Sequence, residues 1–389
     1  MLGNRHSQHS FAQIPDVSGP RSTFDRSYTR KDTMFFDALT PFFIDEILPG
    51  DTINLNTNVF ARLATQVVPL MDNLYIDYFF FYVPTRLVWE NWERFNGAQD
   101  NPGDTTDFLI PQMVVDTATA YGGLEDHFGI PVGNLTVDKS VNALPFRCYN
   151  LIWNTWFRSQ QLQDSVIVNI DNGPDPQTDY PLQARGRRHD YFASCLPDPQ
   201  KGPAIEIPLQ DNTPLVTRVT NAPYVSAKVV GTNTDAASGF HIVTGAGGKL
   251  VNDNGGSGQE ISIDPRGSLE LNMSGGVMGT INQLREAWAI QDLLELNNRG
   301  GTRYIEILQA HWNVTSPDFR LQRPEFLGSS SVRINSHPVA QTAPTSGSNL
   351  QAQLTACATS SGSLLGFSQP FTEHGYVMVL ACARSDVTY

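Results

Sequence analysis

The stretch Tyr75-Ile76-Asp77-Tyr78-Phe79-Phe80-Phe81-Tyr82-Val83 decides the fold class. It is almost continuously aromatic and lacks the alternation of polar and apolar residues expected of a half-buried strand. Bulky rings on both faces predict a strand covered on both sides, by a core on one and by another layer or subunit on the other. Pro84 ends it. Just upstream, Ile53, Leu55, Val59, Ala61 and Leu63 alternate with Asn54, Asn56, Asn58, Phe60 and Arg62, a period of two with one buried face. Near the other end, Tyr376 to Cys382 (YVMVLAC) reads as a further buried strand.

Helical signals fall in the connections. Thr85 caps a short helix through Val88, Trp92 and Phe95, which Gly97 stops. Pro145 suits the first turn of a second helix over 144–163, with Cys148, Ile152 and Trp156 on its apolar face. Thr280 and Gln283 form a capping box for a third, with Leu284, Trp288 and Leu294 on one face and Gly300-Gly301 at its end. Thr302 restarts a turn or two through Tyr304 and Leu308. Residues 1–50 read as an extended arm, including Phe35, Phe36, Phe42 and Phe43, that becomes ordered by docking. Residues 205–279, rich in Gly, Thr and Asn, read as an insertion with little core of its own, and 328–365 as a long surface loop. Scattered strands with helices lodged between them predict a mainly β fold, an antiparallel barrel with elaborated loops.

Of the 389 residues only 17% are charged, against about 25% in an average soluble domain. Such a surface fits a protein that covers much of its exterior with neighbours. The net charge of −13 excludes a general condenser of nucleic acid, because phosphate binding rests on clustered cations. Locally the sign reverses: Arg5, Arg21, Arg26, Arg30 and Lys31 face only Asp16 and Asp25 within residues 1–31. A second basic cluster, Arg185-Gly186-Arg187-Arg188-His189, fits either a phosphate contact or a set of loop ion pairs. The candidate DNA-contacting residues are therefore Arg5, Arg21, Arg26, Arg30, Lys31, Arg185, Arg187 and Arg188.

Signals for chemistry fail one by one. The histidines form no HExxH pair, and no GxSxG elbow is present. Gly245-Ala246-Gly247-Gly248-Lys249 is not a phosphate loop, since Val243 stands where the first glycine belongs and Leu250 where the magnesium-binding hydroxyl belongs. Carboxylates such as Asp45, Glu46, Glu90 and Glu93 carry no information without geometry. Asp100, Asp104 and Asp107 lack EF-hand spacing and read as a solvated turn. Cys148, Cys195, Cys357 and Cys382 lie far apart and read as buried free thiols. No run is apolar enough to span a membrane, and no apolar segment of a signal peptide begins the chain. The expectation is a structural protein made in a cytoplasm, with no catalytic site, cofactor or metal. The alternative is a carbohydrate-binding, lectin-like β-sandwich whose tryptophans stack on sugars.

Particular blocks then narrow the reading. The segment LPGDTINLNTNVFARLATQVVPLMDNLYIDYFFFYVPTRLVWENWERFNG (Leu48 to Gly97) resembles the first strands of the major capsid proteins of microviruses, in the gokushovirus branch. RHDYFASCLPDPQKGPA (188–204), RGGTRYIEIL (299–308), VTSPDFRLQRPEFLG (314–328) and FTEHGYVMVLACARSDVTY (371–389) resemble further blocks of that family, in its order. The resemblance implies an eight-stranded jelly roll and a T=1 icosahedral virion around circular single-stranded DNA, assembled in the bacterial cytoplasm. It also implies an internal scaffolding protein, a DNA pilot protein, a small basic DNA-binding protein and a host surface receptor as partners. On this reading 1–50 is an inward-facing arm, 51–204 the first part of the barrel and 205–279 a surface protrusion. Residues 280–389 are then the second part of the barrel, cut short relative to the family.

Overall fold

The computed structural model describes residues 22–133, 136–160, 162–186, 188, 201–205 and 280–386, other than 302, 316–319, 321 and 348–350. Between 206 and 279 it describes the backbone of short strands only. The chain divides into two units, Met1–Arg187 with Arg320–Tyr389, and Arg188–Phe319.

In the first unit the strands are β1 (Thr40–Ile47), β2 (Thr52–Arg62), β3 (Leu74–Pro84), β4 (Gln112–Val115) and β5 (Lys139–Asn142). Its helices are α1 (Trp92–Phe95), α2 (Leu124–His127) and α3 (Leu144–Ile152). The second unit contains β6 (Leu215–Thr217), β7 (Ala227–Val229), β8 (Ile242–Thr244), β9 (Leu250–Asn252), β10 (Gln259–Ile263) and β11 (Leu269–Leu271), followed by α4 (Ile281–Arg299) and α5 (Tyr304–Trp312). The first unit resumes with β12 (Glu325–Ala340), β13 (Leu354–Pro370) and β14 (Gly375–Ser385). Its main sheet is antiparallel throughout, in the order β1-β14-β3-β12-β13-β2.

β3 is buried on both faces, and both covers come from its own chain. Phe81 and Val83 join Tyr376, Met378 and Leu380 of β14 in a core closed by Trp89, Met113 and the α3 residues Phe146, Tyr149 and Ile152. The alternate residues Leu74, Ile76, Tyr78 and Phe80 join Val379, Ala381 and Ala383 in a second core on the opposite face. Phe42 and Phe43 of β1 and Leu55, Val59 and Ala61 of β2 pack on that second core. β1 and β2 are the two edges of the sheet, so a flat sheet could not bring both onto one cluster. The sheet therefore curls into a half-barrel. A bulge between Pro41 and Phe43 lets two consecutive phenylalanines serve the same face. A second register shift, between Leu364 and Phe367, brings the β13 backbone onto β2 so closely that a Cβ on Gly366 would collide with the Leu55 carbonyl.

Several expectations hold. β2 alternates exposed and half-buried along its whole length, and β14 is buried from Gly375 to Ala383. Thr280 accepts from the Gln283 backbone while Gln283 reaches back to Thr280, the capping box read from the sequence. Others are corrected. The helix begun at Thr85 is a 3-10 turn (Thr85–Leu87) and a single turn of α1, because the Thr85 amide is drawn to the His374 carbonyl and Thr85 does not cap. α3 stops at Ile152 and unwinds through a π turn ending at Phe157, short of 163. The apolar face expected of the third helix lies open: Trp288 is 71% exposed, and the buried residue of α4 is Ala287.

The expected surface loop 328–365 is mostly the long β12–β13 hairpin, whose small Ser, Thr and Ala residues pair with β3 on one side and β2 on the other. Within the expected arm, 40–47 is β1, docked on β14. α4 and α5 fall within the unit Arg188–Phe319. Cys148 and Cys382 are buried free thiols as expected, Cys357 is free but exposed, and Cys195 lies outside the described residues.

Since Phe81 is 1% exposed, Phe81→Asp is expected to prevent folding, because an unpaired carboxylate in that core costs several kcal/mol. Phe81→Leu is expected to fold with a loss of about 1–3 kcal/mol. Soluble expression and thermal melting of the two variants check this.

Candidate assembly and nucleic-acid interface

Among the described residues, the basic side chains singled out in the sequence have different partners. Arg26 is exposed and pairs with Asp45 at 2.6 Å. Arg30 pairs with Asp32 at 2.7 Å and donates to the carbonyls of Phe42 (3.1 Å) and His127. Asp32 in turn lies 3.1 Å from Nδ1 of the buried His127 on α2. Residues 30–32 thus clamp the arm to its own unit, beside a cavity of about 540 Å³ lined by Tyr28, Arg30, Lys31, Asp126 and Phe128. Lys31 is exposed, as is Arg188. Arg5, Arg21 and Arg187 lie outside the described residues.

Arg185 is placed differently. Its guanidinium donates to Asp77 at 2.7 Å and stacks 4.7 Å over the Phe79 ring. Arg384 donates to the same Asp77 oxygen at 2.7 Å and stacks over Tyr75 at 4.7 Å, and Ser331 donates to the other oxygen. Asp77 is the polar interruption of the aromatic strand. It sits under β12 and β14 because its register partners are Ser331 and Cys382. Burial opposes ionisation of its carboxyl, but the hydrogen bonds from Arg185, Arg384 and Ser331 prevail and hold its pKa below the ordinary carboxylate value. The loop ion pair left open for Arg185 in the sequence is thus present; its partners came from strands far away in the chain, which no local pattern reveals.

A second buried ionic centre had no signal in the sequence. Arg147 on α3 is fully buried and grips Asp175 through Nε (2.7 Å) and Nη2 (2.5 Å). Its remaining N–H groups reach the Val88 and Asp171 carbonyls at 2.9 and 2.8 Å and the Asp171 carboxylate at 3.3 Å, so all five donors are used. Tyr180 also donates to Asp175. Burial opposes the charge on Arg147, yet Asp175 raises its pKa further. Nothing here is poised for proton transfer. These groups tie α3 to the connection after β3, at Val88, and to the segment that follows α3, at Asp171, Asp175 and Tyr180.

The cysteines are equally inert as nucleophiles. Burial pushes the Cys148 thiol far up and the Cys382 thiol up to about 11. For a sugar, the nearest arrangement is a cleft of about 290 Å³ with Trp92 beside Glu93 and Glu373. Both carboxylates there are engaged: Arg320 holds Glu93 at 2.7 Å, and Arg86 holds Glu373 at 2.7 Å. Among the described residues no group of acidic, histidine or cysteine side chains could hold a metal ion, and no helix is long and apolar enough to cross a membrane.

An ion cluster of this kind makes stability depend on pH in a known direction. Asp77 ionises more readily folded than unfolded, so its contribution is present above the ordinary value of about 3.9 and is lost as pH falls through the depressed folded one. The melting temperature is expected to drop as the pH falls from about 5 toward 2, with a shallower drop in Asp77→Asn. Asp77→Ala, which takes the carboxylate from Arg185 and leaves Arg384 with Asp386 alone, is expected to cost about 3 kcal/mol at neutral pH by denaturant unfolding.

Comparison with known proteins bears on the whole chain. The family described as Capsid protein (F protein) matches residues 12–389. Capsid protein VP1 of Bdellovibrio phage phiMH2K is 52% identical over 401 residues, which cover 100% of this chain and 73% of that protein. Capsid protein VP1 of Chlamydia phage 1 is 33% identical (98% of this chain, 74% of that one), and that of Spiroplasma virus 4 is 30% identical (98% and 72%). With a curled antiparallel sheet, ionic centres that serve architecture and this similarity along its length, the chain belongs to the capsid protein (F protein) family of the microviruses and is a structural, non-enzymatic protein of the virion.

Proposed function

We propose that the chain is the major shell subunit of a microvirus, assembling with copies of itself into a T=1 icosahedral particle around a circular single-stranded DNA genome. The observation that carries this is the similarity to VP1 capsid proteins over 98–100% of the chain. The half-barrel supports it physically: six antiparallel strands curled over one core are compatible with an eight-stranded jelly roll. Residues 1–50 face inward in this reading. Residues 205–279 form a surface protrusion that meets the bacterial host. The internal scaffolding protein, DNA pilot protein and small basic DNA-binding protein act alongside it, and a separate basic protein explains how a subunit of net charge −13 can enclose DNA.

Contact with the genome falls to Arg5, Arg21, Arg26, Arg30, Lys31, Arg185, Arg187 and Arg188. Among the described residues of that set Arg26, Lys31 and Arg188 are exposed, whereas Arg185 and Arg30 are engaged inside the unit. Assembly is tested by electron microscopy of the complete protein with its scaffolding partner, where shells are expected and persistent monomers would refute the reading. For the genome, Arg21→Gln, Arg26→Gln and Lys31→Gln together are expected to leave shells intact and lower nuclease-protected DNA per particle. Unchanged DNA content would return these residues to protein contacts.

A further inference from the structure

At one end of the half-barrel the described surface carries a cluster of exposed apolar side chains, bounded by the exposed Arg62, Asp72 and Arg333. The β2–β3 connection exposes Val67 (75%), Val68 (70%), Leu70 (47%) and Met71 (94%) in near succession. This loop does not hang free. The Gln66 amide donates to the Ala356 carbonyl at 3.2 Å, and the Gln66 side chain accepts from the Leu70 amide at 3.2 Å. That bridge sets the loop beside the end of the β12–β13 hairpin, where Val339 (51%) and Leu354 (50%) are also exposed. Six exposed aliphatic side chains fixed at one end of a sheet exceed the scattered exposure normal for a monomer.

The charge pattern identifies what covers them. Between Arg62 and Asp72 there is no Asp, Glu, Lys or Arg, and between Arg333 and Glu373 there is none either. In a chain where 17% of residues are charged, the stretches 63–71 and 334–372 thus hold no Asp, Glu, Lys or Arg. The cores of protein interfaces show this depletion, with charges kept to the rim. Here Arg62, Asp72, Arg333 and Glu373 bound the neutral stretches in sequence. Two copies each carrying −13 repel at a distance and meet at least cost through surfaces that add no like charges. A nucleic acid finds no cation in either stretch. The described residues of 63–71 and 334–359 are enough to supply the about 20–30 residues a side of a standard interface.

We infer that this neutral end of the half-barrel, the 63–71 loop with the β12–β13 hairpin, is a contact between subunits whose occupant is a second copy of this chain. The inference rests on the shell reading and adds where the copies meet.

The test places a charge where none stands. Met71→Glu, Val68→Glu and Leu354→Glu are each made in the full chain with the scaffolding partner present, and sedimentation and electron microscopy are read beside circular dichroism. The expected result is a folded subunit that yields at least tenfold fewer shells, with Met71→Gln assembling far better than Met71→Glu. If the wild type assembles and the charged variants do so equally well, the inference is overturned and the shell reading stands. A wild type that forms no shells overturns both. Shells of normal yield that fail to adsorb to host cells would reassign the patch to the exterior and overturn the inference. Should a charged variant misfold, a photo-crosslinking residue at Met71 in mixed light- and heavy-isotope particles decides the matter. Links between the two isotopes at residues 63–71 or 334–359 support it, and links confined to one chain refute it.

Discussion

The fold hangs on the two-sided burial of β3. A strand carrying Tyr78, Phe79, Phe80, Phe81 and Tyr82 in succession cannot lie at the surface of anything, since each face presents rings that water must leave. One face is closed by the connections that contain Trp89 and α3, the other by the curling of the sheet's own edges. β14 is the necessary neighbour. It alternates large residues (Met378, Leu380) toward the first core with small ones (Ala381, Ala383) toward the second, so the rings of β3 find room on both sides. The curl is thus a consequence of packing rather than of the hydrogen-bond ladder, which an open sheet would satisfy equally well.

Around that strand, charge is used as a fastener. Asp77 breaks the aromatic run at a place where Arg185, Arg384 and Ser331 converge, and Arg147 with Asp175 holds the covering loops over the same face of the sheet. Each centre has its donors and acceptors matched closely, the condition under which buried charge is tolerated. Both tie together segments remote in the chain, giving the long connections a defined seat where hydrophobic contacts alone would permit sliding. The cationic arm follows the same rule, spending Arg30 on two backbone carbonyls and Asp32 and leaving Lys31 outward.

An acidic subunit whose business is to sit beside its own copies meets a conflict between solubility and assembly. Net charge of −13 keeps monomers apart, while a shell requires them to touch. The proposed subunit contact, with its neutral Ser- and Thr-rich strands and short aliphatic loop, would resolve it locally. The same economy accounts for the long β12–β13 hairpin reading as a loop in the sequence. Small polar residues with few large apolar ones give no period-two signal, and the pairing with β3 and β2 that makes them strands is supplied by residues some 250 to 300 positions earlier.

From the sequence alone came the mainly β class, β2, β3 and β14, the α4 capping box, the absence of a catalytic pattern and the family, because each rests on local periodicity or on contiguous blocks of residues. The rest belongs to the tertiary structure: which face of β3 meets which core, the curl, the strand status of the hairpin, the exposure of Trp288 and the partners of Arg185 and Arg147. Those features depend on residues brought together across the whole chain. A guanidinium in a loop looks the same in sequence whether it faces a phosphate or a buried carboxylate; only the register that sets Asp77 beneath it decides.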